Sequence, residues 1–250
     1  MIVLIFILGL ILGSFYNVVG LRLPVGGSLV KPGSHCPKCK KELKWYELIP
    51  VLSYIIQRGK CRKCEEKISL TYPIIELLTG ILFAVFYYLF GFSYNFFTGT
   101  IIISVMMIVF VSDFKYKIIL DSPLVIGSIL VIILKFYYFG FDTGLKSLIA
   151  AVGMFMFLFL VKVFGDKVFK KESMGGGDVK LCFFTGLVLG LYQGVLSIGI
   201  SSFIALPYAM ITLSLKKEPE IPFGPFLMLG LLAVFIFLDP INGFIDMILP

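Results

Sequence analysis

The sequence predicts an all-α polytopic membrane protein with about eight transmembrane helices and a small zinc-ribbon-like insertion on its cytoplasmic side. Three observations carry that prediction. Hydrophobic residues make up 59% of the 250 positions and charged residues 15%, with a mean hydropathy of +1.01, where soluble domains run about 45–50% and about 25%. The apolar residues gather into runs of about 20, the length a helix needs to cross the hydrocarbon core. Lys and Arg collect between alternate runs, as they do on the cytoplasmic side of membrane proteins.

On that ruler the spans fall near 1–21, 73–91, 96–112, 122–139, 144–164, 180–193, 195–215 and 224–245. The first lacks a basic segment ahead of it and a small-residue cleavage pattern after it, so it reads as a retained span rather than a signal peptide. Arg22 follows it, which holds that end in the cytoplasm and puts the N-terminus outside. Gly13, Ser14 and Asn17 on this span are suited to helix–helix packing. The turns at 91–95 and 139–144 carry no Lys or Arg and are expected outside. Inside loops hold Lys31 to Lys67, Lys115 with Lys117, Lys167 to Lys171, and Lys216 with Lys217. A tight turn at 190–194 is expected to join the sixth and seventh spans. The chain then divides into a first helix (1–21), a cytoplasmic loop (22–72) and a seven-helix core (73–250).

The net charge of +7 does not indicate nucleic acid, because the basic residues flank apolar spans and form no stripe. Nor is segment 22–72 a nucleotide-binding domain. It is too short and has no glycine-rich strand-to-helix turn.

That segment contains Cys36-Pro-Lys-Cys39 and Cys61-Arg-Lys-Cys64. Two such knuckles supply four thiolates, enough to close a tetrahedral structural zinc site and leave no open position for catalysis. Four reduced thiols without metal are the alternative, since disulfides do not persist in the cytosol. His35 adjoins Cys36 and is read as an ordinary loop residue, and Cys182 as packing within a span. Trp45, Tyr46 and Tyr54 are candidates for interfacial anchors.

Acidic residues at the edge of a span are functional candidates. Asp113 ends the third span and Asp178 opens the sixth, both at the cytoplasmic face by topology. Two carboxyls that share a proton can perform peptide hydrolysis, one polarising the carbonyl and the other drawing a proton from water. Gly175, Gly176 and Gly177 before Asp178 would let an extended substrate approach the backbone. Asp121 is expected to cap the fourth helix, Asp239 and Asp246 to be structural, and Glu76 either to pair with loop lysines or to line a polar cavity. A transporter would want its acids near the midplane, and a zinc-bearing scaffold would leave Asp178 without a use.

With these residues in view, the chain resembles the type IV prepilin peptidases, bifunctional leader peptidases and N-methyltransferases with a GxGD-type aspartic site. The likeness runs through residues 13–24, both knuckles, 49–54, 58–61, 68–80, the Asp113 segment, 174–181 and 221–227. Ile119-Leu120-Asp121 stands where the family commonly has Ile-Pro-Asp, and Glu47-Leu48-Ile49-Pro50 where it often has Asn after Glu. The resemblance implies that Asp113 and Asp178 are the catalytic pair. It implies a prepilin or pseudopilin substrate, cut after a glycine behind a short basic leader at the cytoplasmic membrane. It also implies methylation of the new N-terminus from S-adenosylmethionine, with no cofactor contacts identified.

Overall fold

The computed structural model describes residues 1–214 and 221–237. Eight α-helices are present among them: α1 (Ile2–Arg22), α2 (Leu52–Ile56), α3 (Thr71–Phe90), α4 (Tyr94–Tyr116), α5 (Asp121–Phe169), α6 (Gly176–Leu189), α7 (Leu191–Ser214) and α8 (Gly224–Ile236). Helices α1, α3, α4, α5 and α7 are long and apolar enough to cross a membrane. Lys216, Lys217, Asp239, Asp246 and positions 238–245 of the eighth expected span lie outside the described residues.

The sequence places the fourth and fifth spans apart, joined by a turn over 139–144. The two spans are present as two helical arms of the 49-residue α5, and the turn between them is reduced to one non-helical residue, Gly140, with φ 80° and ψ −179°. A straight helix of that length would reach about 74 Å, more than twice the hydrocarbon thickness. Gly140 folds it into two arms that lie side by side, with the Lys135 ammonium donating to Ser147 Oγ at 2.9 Å and to the Val188 carbonyl of α6 at 3.1 Å. The turn expected over 190–194 is likewise reduced to Gly190 (φ 88°), since α7 begins at Leu191. Only glycine takes such a φ cheaply, so one residue does the work expected of five.

Small residues set the helix spacing, as expected where lipid gives no hydrophobic drive between helices. A Cβ on Gly9 would lie 2.7 Å from Gly80 Cα, and one on Gly13 would lie 2.8 Å from Glu76 Cα, so α1 and α3 are in backbone contact. Asn17 Nδ2 donates to the Tyr72 carbonyl, fastening the same pair. Helix α4 is the central element. Ile102, Ile103, Met106 and Val109 are almost wholly buried on it, and Gly20 of α1 packs against Val111. Cys182 packs with Leu158 and Val179 as expected.

Candidate active site and metal centre

Asp113 lies near the end of α4, one turn before its terminus, and is 5% exposed. Asp178 is the third residue of α6 and is 8% exposed. It is not the cap of that helix. Gly175 holds the cap position, and Asp178 folds back so that a Cβ on Gly175 would lie 3.4 Å from its Oδ2.

The two aspartates converge through the residues between them. A Cβ on Gly177 would lie 2.8 Å from Ile119 Cβ, and one on Gly224 would lie 2.8 Å from Ile119 Cδ1 and 3.0 Å from Asp113 Oδ2. Ile119 therefore sits between the second residue of α6 and the first residue of α8, with Asp113 beside it. The carboxyls are near enough for the charge of Asp113 to act on Asp178. The N–H of Gly224 is directed at the Asp113 carboxyl, yet Oδ2 is buried without a hydrogen-bond partner. Buried polar atoms are almost always paired, so Asp113 Oδ2 is a polar position that the protein's own groups leave unsatisfied.

Among the expected site residues, Gly177 makes the close approach, Gly175 provides the cap, and Gly176 has open space around it. Sequence reasoning gave no chemical role to Gly224 or Ile119. Both fall in apolar stretches where nothing marks them as neighbours of Asp113. Asp121 is not a helix cap. Leu120 holds that position without a side-chain bond, and Asp121 pairs instead with Lys180 of α6 at 2.7 Å. The pair stands at the rim of a lateral groove between α5 and α6 walled by Leu124, Val125, Ile129, Val152, Phe155 and Phe183.

The cysteine module is built from two copies of one turn. The N–H of Lys40 donates to the Cys36 carbonyl and that of Cys36 to the Lys41 carbonyl; Glu65, Cys61 and Glu66 repeat the pattern. Lys40 and Glu65, at matching positions, both have φ of 57°. His35 and Glu42 bridge across the first turn, and Lys60 and Lys67 across the second. The pairing brings Cys36 Sγ to 3.7 Å from Cys64 Sγ and Cys39 Sγ to 3.9 Å from Cys61 Sγ, with all four sulfurs within 4.8 Å of one another. Zinc–sulfur bonds of about 2.3 Å in a tetrahedron require sulfurs about 3.8 Å apart, so the quartet fits zinc as it stands. His35 turns its Nδ1 to the Gly33 carbonyl and is not part of the cluster.

Backbone donors prepare the sulfurs. The N–H groups of Cys64 and Lys63 bring the Cys61 thiol down to about 6, and that of Cys39 lowers Cys36. At Cys64 the Glu66 N–H acts in the same direction, but burial and the neighbouring thiols push it up to about 11. A divalent cation held between the sulfurs would let all four ionise together.

Glu47, which the sequence reading passed over, ties the knuckles together. It is 4% exposed and accepts from the Lys41 ammonium at 2.8 Å and the Lys44 N–H at 3.0 Å, with Arg62 Nε at 4.0 Å. The Lys41 bond holds its carboxyl below the ordinary glutamate range. Glu76 takes a loop backbone group rather than a loop lysine as its partner. Its Oε2 accepts from the Val51 N–H at 2.8 Å, which anchors the module to α3.

Comparison with known proteins joins the two regions. Residues 7–90 match the bacterial peptidase A24 N-terminal domain, and residues 100–210 match the type IV leader peptidase family. A prepilin leader peptidase/N-methyltransferase of Bacillus subtilis is 34% identical over 98% of this chain and 97% of its own length.

The chain belongs to the type IV leader peptidase family. A Neisseria gonorrhoeae relative of the same description is 32% identical over 88% of this chain and 84% of its own. One from Myxococcus xanthus is 38% identical over 75% of this chain and 56% of its own. No solved structure matches the chain. The family's N-terminal portion covers the cysteine module with α1 and α3, and its peptidase portion contains both aspartates. Gly224 of α8 lies beyond both matched segments.

Proposed function

We propose that this chain is an aspartic leader peptidase that uses Asp113 and Asp178 as one proton-sharing pair to cut prepilins or pseudopilins at the membrane edge. The observation that supports it is that Asp113 and Gly177, the residue before Asp178, both approach the contact between Ile119 and Gly224, with Asp113 Oδ2 unpartnered. In the shared-proton state the protonated carboxyl donates to the scissile carbonyl oxygen. Its ionised neighbour takes a proton from the attacking water. The pair titrates as a unit, so neither residue has a private role. Gly176, with open space around it, leaves the backbone beside Asp178 bare for an extended peptide.

In this reading the aspartates stand at the cytoplasmic face of the inner membrane and the N-terminus outside, which the Lys and Arg of the connecting loops support. A precursor would then keep its basic leader in the cytosol and its apolar segment in lipid, with the junction at the carboxyls. Cys36, Cys39, Cys61 and Cys64 would hold a structural zinc ion, whose chemistry is to lock the two turns together. Methylation of the new N-terminus comes to this chain from the family and the relatives' name, with S-adenosylmethionine as methyl donor. The groove beside α5 and α6 does not fit such a cofactor, because its one carboxylate is paired with Lys180 and the rest of its lining, Ser128 apart, is aliphatic or aromatic. No methyl-transfer step is assigned to it.

The test is cleavage of a prepilin-type peptide in detergent by the wild type, Asp113→Asn and Asp178→Asn. Cleavage after the leader glycine, lost in both folded variants, supports the pair. Full activity in either variant overturns it.

A further inference from the structure

The loop that carries the cysteines exposes a cluster of large apolar residues in one short stretch. Within 45–56, Trp45 is 78% exposed, Leu52 57%, Ile55 63% and Ile56 67%, and Leu48 is exposed as well. Leu52, Ile55 and Ile56 are spaced to share one face of α2, and Leu48 lies exposed in the turn before it. The opposite face is occupied by the module itself. Tyr54 packs over Gly59, where a Cβ would lie 2.7 Å from its hydroxyl, and Tyr46 lies under the Arg62 guanidinium at 5.3 Å. Of the three aromatic residues expected as interfacial anchors, only Trp45 therefore points outward. The module turns its apolar face away from its own body.

The depth of this segment is fixed by the membrane helices. Val51 hangs on Glu76 through its N–H, and Ser14 of α1 hydrogen-bonds the same carboxyl. The backbone of Glu76 packs on Gly13, nine residues before the Arg22 end of α1, or about 13 Å along the helix axis. Residues 49–52 are thus held beside the apolar stretches of α1 and α3, below their ends. The neighbouring surface of α3 exposes Ile74, Leu77 and Leu78. Lys44, Arg58, Lys60 and Lys63 are exposed around the segment.

We propose that residues 45–56 form an interfacial hook, whose apolar face sits in the lipid boundary beside α1 and α3 while the surrounding basic residues meet anionic headgroups. Its continuity with the lipid-facing side of α3 and its basic rim both point to lipid as the occupant. The backbone tolerates this position because the Val51 N–H is satisfied by Glu76 and the following residues are helical. The proposal is independent of the cleavage reaction.

Trp45 is the chain's single tryptophan, so its emission reports on this segment alone. The full chain is reconstituted in vesicles of phosphatidylglycerol and phosphatidylethanolamine doped with lipid brominated either near the headgroup or near the acyl terminus. Blue-shifted emission, quenched more by shallow than by deep bromine and protected from aqueous iodide, is the expected result. Water-like emission open to iodide would overturn the proposal. So would blue-shifted emission that neither bromolipid quenches, which would mean that protein covers the face. In wholly zwitterionic vesicles the shallow quenching should fall several-fold, and unchanged quenching would refute the headgroup pairing. The Ile55→Asp/Ile56→Asp double variant, checked for helical content and monodispersity in detergent, should gain iodide quenching several-fold. An unchanged response in that folded variant would also overturn the hook.

Discussion

The cysteine module and the aspartate site solve opposite assembly problems. The four sulfurs come from two short turns of identical hydrogen-bond pattern within one loop, and each turn is closed by its own backbone. The two carboxyls come from helices α4 and α6, and their setting is completed by Ile119 and by the first residue of α8. A local device can be read from spacing, and its failure should stay local. A device assembled across the bundle depends on close approaches that no short segment encodes, and small changes at distant positions should disturb it.

The sharpest break of that comparison is at the carboxyls. Asp113→Asn or Asp178→Asn should lower the cleavage rate by about 10²- to 10⁴-fold, the usual worth of a general acid or base, with the folded protein still in the membrane. Rates within a few-fold of wild type would remove the pair from the chemistry.

Next in size is Gly224→Ala. The added methyl would meet Asp113 Oδ2 at 3.0 Å and Ile119 Cδ1 at 2.8 Å, and a displacement of about 1 Å at a reacting group costs up to roughly 10²-fold. Adding Ile119→Val should restore part of the rate by opening space on one side. A Gly224→Ala enzyme of wild-type activity would show that α8 does not position Asp113.

Cys36→Ser or Cys61→Ser should abolish bound metal, measured by elemental analysis of purified protein, yet slow cleavage less than either aspartate change. Loss of cleavage as complete as in Asp178→Asn would mean that the module and the aspartates act as one unit.

The smallest effect is expected at the exposed Asp121–Lys180 pair. Asp121→Asn should change stability by no more than about 1 kcal/mol, as for surface ion pairs generally, read from thermal unfolding in detergent. A larger loss would show that the pair braces α5 against α6.

Much of this molecule was legible in the chain alone. Apolar runs of bilayer length announced the helices, because a backbone in lipid must satisfy its own hydrogen bonds. The CxxC spacing announced the sulfur cluster, because two turns can be closed by local bonds. Asp113 and Asp178 stood out because charge at a span edge is costly. Boundaries fared less well. At Gly140 and Gly190 a single residue with positive φ replaces an expected loop, since composition shows where the chain turns but not how few residues the turn requires.

What only the tertiary structure decided is which surfaces meet. Gly224 and Ile119 carry no chemistry of their own and become part of the candidate site only because α8 starts against the end of α4. Glu76 reads as a membrane acid of ambiguous purpose until the loop folds back and presents the Val51 N–H to it. Asp121 reads as a cap until α6 brings Lys180 alongside. Sequence fixes local backbone preference and solvent, which act over a few residues. The partners of a buried polar group are set by packing between segments far apart in the chain, and that is a property of the assembled bundle.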